Sequence, residues 1–240
     1  MGHEPGGHDG GVTDTDTRRL ERFAVRLTAG AVIALAALAV FALLLALVAG
    51  GWGPLHRLDL RVDDRLNGYF AARPGATSFW RGVSTVGQPA TFEVLAVIAA
   101  VALWFRRERR LALFVVVTVI GSSLLNNIVK FLVDRARPSL PVVLTHPAGS
   151  SFPSGHAMAS FVALALAASL ARRSARAAVA AVVGVVAAAG ILLVGFSRLA
   201  LGAHYLSDVV GAWLLGLAWL VVLIEVFGVA RAREVSAPRP

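Results

Sequence analysis

Lys130 and Arg137 form the first pair of side chains in this sequence that could do chemistry together. They are seven residues apart, so a continuous helix would place both on one face. Lysine supplies a compact positive charge and arginine a bidentate fork, and the pair could clamp a phosphate group. Pro138 then directs the chain out of the helix. Two alternatives stay open for this segment: the cations could snorkel from a helix end, or Lys130 could pair with Asp134.

A second polar segment, Ser151-Phe-Pro-Ser-Gly-His156, precedes an apolar stretch and is typical of a helix start. Ser154 could cap this helix, and Gly155 leaves the backbone open to a ligand, because free N–H groups at a helix N-terminus bind anions. His156 at that edge could donate a proton to a leaving oxygen. Taken alone, the hexapeptide is more typical of a capping turn with an interfacial histidine than of a catalytic site.

The third segment runs from Ser197 to Asp208 and contains an arginine, a histidine and an aspartate. His204 and Asp208 are four residues apart, and a helix would place them on one face within reach of each other. A carboxylate on one ring nitrogen fixes the tautomer and leaves the other nitrogen free as a nucleophile or base. Arg198 adds another anion-binding fork. The same spacing suits metal ligands, with His156 as a third, but the converging cations would repel a metal ion and attract a phosphate.

The composition of the chain excludes an ordinary soluble domain and a disordered chain. Of its 240 residues, 57% are hydrophobic and 15% are charged, and the mean hydropathy is +0.73. A soluble domain has about 45–50% apolar and about 25% charged residues. The absence of cysteine excludes disulfides, thiol nucleophiles and cysteine metal ligands. The net charge of +9 fits anchoring of membrane helices better than nucleic-acid binding, because the arginines flank apolar stretches.

Six apolar stretches are long enough, or nearly so, to cross about 30 Å of hydrocarbon as helices. The sequence therefore predicts an all-α integral membrane protein, a bundle of six transmembrane helices. Alanine, glycine and serine are frequent in these stretches and allow helix backbones to approach closely in lipid. The predicted spans are residues 27–49, 88–105, 111–129, 155–171, 177–196 and 209–230.

Arginines outside the predicted spans set the orientation, since connections rich in Lys and Arg stay cytoplasmic. They cluster before the first span, at residues 106–110 and 172–176, and after the last span. Both termini are therefore expected to be cytoplasmic, with a disordered tail at 1–23 and a second tail at 231–240. The membrane domain at 24–230 then has three outward connections, which are residues 50–87, 134–154 and 197–208.

Residues 55–70, in the first outward connection, interleave apolar and charged side chains. They predict an amphipathic helix on the outer membrane surface and, equally, a loop packed on the rim of the bundle. The three polar segments all lie on this outer side. Their convergence is the strongest functional signal in the sequence, because ionisable groups at membrane depth are costly and tend to mark sites.

Together the three polar segments resemble the signature of the type 2 phosphatidic acid phosphatase superfamily of membrane lipid phosphatases. That signature is Lys-x6-Arg-Pro, then Pro-Ser-Gly-His, then Ser-Arg-x5-His-x3-Asp, and the chain contains all three parts, complete and in order. The direct match covers residues 130–208, and the six-span layout extends it over 24–230. The resemblance implies a membrane phosphatase domain, a metal-independent phosphomonoesterase or diphosphatase with no cofactor.

The resemblance also implies a role for each signature residue. His204 would attack phosphorus and form a phosphohistidine, with Asp208 orienting the imidazole. His156 would protonate the departing lipid alcohol or lipid phosphate and later activate water. Positioned cations and amides stabilise the spread charge of a phosphoryl transition state. The residues implied to hold the non-bridging phosphate oxygens are Lys130, Arg137, Ser154, Gly155 and Arg198.

The expected partners are membrane lipids and a lipid phosphate or diphosphate substrate, at the outer face of a bacterial plasma membrane. Candidate substrates are undecaprenyl diphosphate, phosphatidate and phosphatidylglycerol phosphate. Discrimination is expected from residues 50–87, Gln88 and Glu93, although Glu93 could equally be a helix-packing residue. One alternative is an enzyme like the vanadate-dependent haloperoxidases, whose known soluble members lack the six-span layout. Another is a non-catalytic lipid- or solute-transporting bundle, although such a degenerate site would be expected to lose a histidine or the aspartate. The sequence does not specify an oligomeric state.

Overall fold

The computed structural model describes residues 14–145 and 148–236, and this part of the chain forms eight helices and no β-strand. The predicted all-α class is therefore confirmed. In chain order the helices are α1 (Asp14–Ala49), α2 (Gly53–Ala71), α3 (Pro74–Val86), α4 (Pro89–Phe105), α5 (Arg109–Val133), α6 (Gly155–Ser174), α7 (Ala177–Ala200) and α8 (Leu206–Ser236).

Six segments within the described residues are long and apolar enough to cross a membrane, which confirms the predicted six-span bundle. The second segment is longer than predicted, because it includes α3 as well as α4. The chain breaks between these two helices at Gly87 and Gln88, and Pro89 starts α4 with the fixed φ that suits a first helical turn. The six segments are Leu27–Ala49, Pro74–Phe105, Arg109–Val133, Gly155–Arg173, Ala177–Ala200 and Leu206–Gly228.

Helix α8 packs against α1, α5 and α6, and α6 in turn packs against α7. The apolar core at this junction includes Phe152, Met158 and Val209, which are 0%, 1% and 1% exposed. Two of these residues belong to the first turns of α6 and α8, close in sequence to His156 and Asp208. Packing in this core therefore fixes the starts of the two helices that carry the predicted histidine and aspartate.

Residues 55–70 are helical, as part of α2, which agrees with the predicted helix and not with the alternative of a loop, and the position on the membrane surface stays a prediction. Asp59 and Asp63 face inward and are 0% and 1% exposed, whereas Leu58 and Leu60 are 45% and 38% exposed. Asp59 meets charged and polar partners there, and α2 packs against α7 and α8.

Two further sequence predictions are corrected by the backbone. Helix α1 begins at Asp14 and α8 continues to Ser236, so the predicted tails are helical at 14–23 and 231–236, and the rest of both tails lies outside the described residues. Helix α5 ends at Val133, and Asp134 takes a left-handed conformation with φ of 42°. The helix therefore does not continue to Arg137, because the chain turns out of it four residues earlier.

Candidate active site

The ends of four helices meet on one side of the bundle. Successive spans run in opposite directions, so the C-terminal ends of α5 and α7 lie beside the N-terminal ends of α6 and α8. A cavity of about 360 Å³ lies at this junction, lined by α4, α5, α6, α7, the connection between α5 and α6, and the turn before α8. Two of the predicted site residues, Ser154 and Asp208, are fully buried and do not line this cavity. The other six line it: Lys130, Arg137, Gly155, His156, Arg198 and His204.

His204 lies in the turn between α7 and α8, not on a shared helix face with Asp208, and it is 2% exposed. Its Nδ1 is 2.7 Å from the carbonyl oxygen of Ser151 and 3.4 Å from Asp208 Oδ2. Because both neighbours are acceptors, Nδ1 carries the proton and Nε2 keeps its lone pair. Nε2 is 3.2 Å from Arg137 Nη1, at the cavity. The geometry thus suits a nucleophile whose ring is oriented by contacts at Nδ1 while Nε2 faces the cavity.

Asp208 connects two of the three polar segments. Its Oδ2 accepts a hydrogen bond from the Tyr205 N–H at 2.9 Å, and its backbone carbonyl accepts from the Ser154 N–H at 3.1 Å. Ser154 Oγ accepts from the Ala157 N–H at 3.4 Å and so caps α6. The predicted contact of Ser154 with phosphate oxygens stays a prediction, since its hydroxyl already serves the helix.

Lys130 and Arg137 are oriented by backbone carbonyls. Lys130 Nζ donates to the carbonyl of Ser150 at 2.6 Å, instead of pairing with Asp134. Arg137 donates from Nε to Gly149 at 2.8 Å and from Nη1 to Ala203 at 2.7 Å. Neutral carbonyls leave both positive charges uncompensated, which favours an anion in the cavity.

Arg198, on α7, is 4% exposed, and its Nη1 donates to the hydroxyl of Ser84 on α3. Its Nε is buried without a hydrogen-bond partner in the described part of the chain. A buried donor of a charged group is costly when unpaired, so an acceptor supplied by a ligand would satisfy it. A phosphate oxygen has the charge and geometry that this guanidinium requires.

The cavity carries an excess of positive charge. Across residues 14–145 and 148–236, the ion pairs near the site involve Arg135 and His204 with Asp59 and Asp208, and none includes Lys130, Arg137 or Arg198. In the same residues, no three His, Asp or Glu side chains form a cluster suited to a metal ion. The donor set therefore fits an anionic ligand.

Burial lowers the pKa of His204 to about 4, against an opposing hydrogen bond from Asp208 and with help from Arg198 and Arg137. Burial also lowers the pKa of Arg137, although Asp208 acts in the other direction. A guanidinium remains protonated throughout the physiological range, whereas His204 is neutral there. Neutral imidazole is the form that can attack phosphorus.

We expect the His204 ring to remain neutral down to about pH 5, where an ordinary histidine would already be mostly protonated. Histidine NMR of the purified protein measures this directly, with the His204 signal assigned by its absence from His204→Ala. The signal should not titrate between about pH 8 and pH 5, whereas free histidine in the same buffer serves as the reference. Titration of His204 near pH 6.5 would contradict the buried, proton-poor site described here.

Several site residues were not identified from the sequence. Arg135 donates to Asp208 Oδ1 at 2.6 Å, Asp59 binds Arg135, and Ser84 orients Arg198. For Arg135 the only signal is a third basic residue between the two signature cations. Asp59 and Asp63 share the i, i+4 spacing that places two carboxyl groups on one helix face.

Away from the cations, the cavity wall contributed by α4 and the middle of α5 is polar. Glu93 lines it together with Ser123 and Asn127. The hydroxyl of Ser123 is buried without a hydrogen-bond partner among the described residues. The cavity is thus divided between a cationic part and a part suited to uncharged hydroxyl or amide groups.

Two named relatives match more than half of the chain. Phosphatidylglycerophosphatase B of Bacillus subtilis (strain 168) is 31% identical over 147 residues, which are 60% of this chain and 72% of the relative. Undecaprenyl-diphosphatase of Sulfolobus acidocaldarius is 30% identical over 138 residues, 55% of this chain and 63% of the relative. The alignments therefore leave between a quarter and two fifths of each relative unmatched.

The crystal structure of a transmembrane PAP2 type phosphatidylglycerolphosphate phosphatase from Bacillus subtilis has the same fold. It superimposes with a TM-score of 0.72 and 23% identity, over 86% of this chain and 98% of that chain. Residues 110–231, half of the chain, match the PAP2 superfamily. This range includes all three polar segments whose side chains meet at the cavity. The chain therefore belongs to the PAP2 superfamily and has the fold of a transmembrane member.

Proposed function

We propose that this protein is a phosphatase of lipid phosphates or diphosphates that works without a metal ion, through a phosphohistidine at His204. The supporting observation is the unprotonated Nε2 of His204 beside a cavity with three cations that have no carboxylate partner among residues 14–145 and 148–236. Phosphoryl transfer depends mainly on positioning and on stabilisation of negative charge, which such an arrangement supplies. The names of the two relatives, both phosphatases, agree with this chemistry.

In the first step, the Nε2 lone pair of His204 forms a bond to phosphorus. The bond from phosphorus to the leaving oxygen breaks, its electron pair stays on that oxygen, and His156 supplies a proton to it. The departing group is a lipid alcohol or a lipid phosphate. Asp208 and the Ser151 carbonyl, both facing Nδ1–H, stabilise the positive charge that develops on the ring.

In the second step, His156 accepts a proton from water while the water oxygen bonds to phosphorus. The phosphorus–nitrogen bond breaks, and its electron pair returns to Nε2 of His204. Inorganic phosphate leaves, and both histidines are restored. Lys130, Arg137 and Arg198 line the cavity throughout and stabilise the transferring group in both transition states.

The position of the cavity near the ends of the spans supports an amphiphilic substrate. Lys130 and Arg198 are within spans, near the ends of α5 and α7. A headgroup can reach this depth while its acyl or prenyl chain stays in the bilayer. The arginine clusters at 106–110 and 172–176 favour the cytoplasm for the opposite ends of the spans, so the cavity faces outward.

The outward orientation predicts selective labelling of single cysteines, since the native chain has none. Val143→Cys, at a position that is 60% exposed in the 134–154 connection, should react with an impermeant maleimide in intact cells. Glu108→Cys, in the connection between α4 and α5, is the matched control and should react only after the membrane is opened. The reverse pattern would show that the cavity faces the cytoplasm.

The candidate substrates differ in what they present to the polar side of the cavity. Undecaprenyl diphosphate places a second phosphate next to the scissile bond, and phosphatidylglycerol phosphate places a glycerol hydroxyl there. Gln88 and Glu93, at the start of α4, and residues 50–87 are the regions that we propose discriminate between them. Glu93 lines the cavity and would disfavour an additional negative charge at its own position.

Phosphate release by the purified protein tests the proposal across undecaprenyl diphosphate, phosphatidate and phosphatidylglycerol phosphate. At least one should be hydrolysed, with inhibition by orthovanadate, which mimics pentacoordinate phosphorus, and with no loss of rate in EDTA. Loss of activity in EDTA that a divalent cation restores would show a metal-dependent reaction. No release from any of the three lipids would refute the proposed function.

A further inference from the structure

Helix α2 carries no signature residue, yet it reaches the predicted catalytic aspartate through one arginine. Arg135 Nη1 donates to Asp208 Oδ1 at 2.6 Å, and Arg135 Nη2 donates to Asp59 Oδ2 at 2.8 Å. Asp59 and Asp208 are both 0% exposed. A planar guanidinium holds two carboxylates in a fixed relative geometry, which the single ammonium of lysine cannot do. Arg135 therefore bridges α2 and Asp208.

Ser207 closes this bridge into a ring. Its N–H donates to Asp59 Oδ1 at 3.0 Å, and its hydroxyl donates to Asp59 Oδ2 at 2.6 Å. The hydroxyl also accepts from Arg135 Nη1 at 2.7 Å. Asp59 thus holds the first turn of α8 at the residue immediately before Asp208. Because the ring is buried, each lost bond would leave a polar group without water to replace the partner.

We propose that Asp59 and Arg135 are positioning residues for the reaction, holding the Asp208 carboxylate against His204 Nδ1 and balancing its charge. Neither residue lines the cavity, so both act through Asp208 and not on the substrate. The inference rests on the proposed function, since it assigns both residues to the same phosphoryl transfer. It extends the site beyond the signature segments to α2, where Asp59 lies 148 positions before Ser207 in the sequence.

Opposite charges make the two residues distinguishable. Without the charge of Arg135, the negative charge of Asp208 is less compensated and favours protonated His204. Without the charge of Asp59, the excess positive charge of Arg135 disfavours protonated His204. A defect that is only structural would not shift the acid side of the pH profile in opposite directions.

Other charged or titratable groups surround the ring, and no variant replaces them. From α2 these include Asp63, whose pKa is raised to about 8 by burial and by Asp59 and Asp208, so that it is uncharged at pH 7 and below. Burial raises the pKa of Tyr205, whose ring lies 4.1 Å from the Arg135 guanidinium, so the phenol is also neutral there. The remaining groups, on α2, the α5–α6 connection and the cavity wall, are His56, Lys130, Arg137, His156 and Arg198.

The test compares Asp59→Asn, Arg135→Gln and Arg135→Lys in the full-length protein. Glu108→Gln is the control, because Glu108 is an exposed acidic residue in the connection between α4 and α5 and does not line the cavity. We expect kcat for a hydrolysed lipid to fall about 10- to 100-fold in the three variants, with KM changed less than about twofold, as for groups that orient a catalytic residue. The control should retain the wild-type values.

The value of kcat/KM is measured for each variant and for wild type from about pH 8 to pH 4. In the ratio of variant to wild type, the effect of substrate ionisation on kcat/KM cancels. The ratio should decline toward low pH for Arg135→Gln and rise for Asp59→Asn. Arg135→Lys keeps the charge but loses the fork, so its ratio should stay flat at a reduced kcat.

Rates within about twofold of wild type for both Asp59→Asn and Arg135→Gln would overturn the inference. Ratios that slope in the same direction for these two variants would overturn it as well. If Arg135→Gln does not elute as a folded protein in gel filtration, the other two variants decide the question. A kcat/KM ratio that rises toward low pH for Asp59→Asn and stays flat for Arg135→Lys supports the inference, and equal slopes overturn it. Wild-type protein that hydrolyses no lipid would instead refute the proposed function. Failure of the inference and failure of the proposed function are therefore distinguishable.

Discussion

His204→Ala will abolish phosphate release, with a loss in kcat of about 10⁴-fold or more, as expected when the nucleophile of a covalent mechanism is removed. The variant keeps the cationic cavity, so it should still bind vanadate while forming no covalent phosphoenzyme. The measurement is phosphate release together with ³²P transfer to the protein, analysed under alkaline conditions because phosphohistidine is labile in acid.

His3→Ala is the control for this experiment. His3 lies outside the three polar segments and outside the predicted membrane domain at 24–230, so its loss should leave both turnover and phosphoenzyme intact. Substantial turnover by folded His204→Ala in the membrane would assign the nucleophile to another residue.

His156→Ala should lower kcat for lipid substrates by about 10²- to 10⁴-fold, the contribution typical of general acid–base catalysis. Its effect should depend on the leaving group. p-Nitrophenolate departs without protonation, so the first step should proceed with p-nitrophenyl phosphate. The second step still lacks its base, and phosphohistidine should therefore accumulate with this substrate.

The two histidine variants thus have opposite signatures in the same ³²P experiment. One variant forms no phosphoenzyme, and the other retains it. The loss of phosphoenzyme in His156→Ala with p-nitrophenyl phosphate, while wild type forms it, would contradict the assigned general-acid role.

The membrane architecture was predictable from the sequence because it depends on long stretches of similar residues. Blocks without charge identify the spans, and the arginine clusters identify which connections share a side. The cavity was predictable for a related reason. Once the spans alternate in direction, Lys130, His156 and Arg198 must lie at the same end of the bundle, whatever the details of packing.

The contacts behind the cavity were not predictable because they depend on which face of a helix turns inward. An acidic face such as that of α2 ordinarily faces water, and the bonds from Arg135 and Ser207 to Asp59 help to make its burial favourable. Similarly, residues 74–86 lack a continuous apolar stretch, so neither α3 nor its contact from Ser84 to Arg198 was expected. Such contacts join residues far apart in sequence, and no local pattern indicates them.

Main-chain oxygens from one short stretch, 148–151, orient three of the functional side chains. Arg137 donates to the carbonyls of Ala148 and Gly149, Lys130 donates to that of Ser150, and His204 donates to that of the next residue. A carbonyl is the same in every amino acid, so substitutions at most of these positions would preserve the arrangement during evolution. A one-residue insertion or deletion would displace all three side chains together, and the length of this stretch is therefore under stronger constraint than its composition.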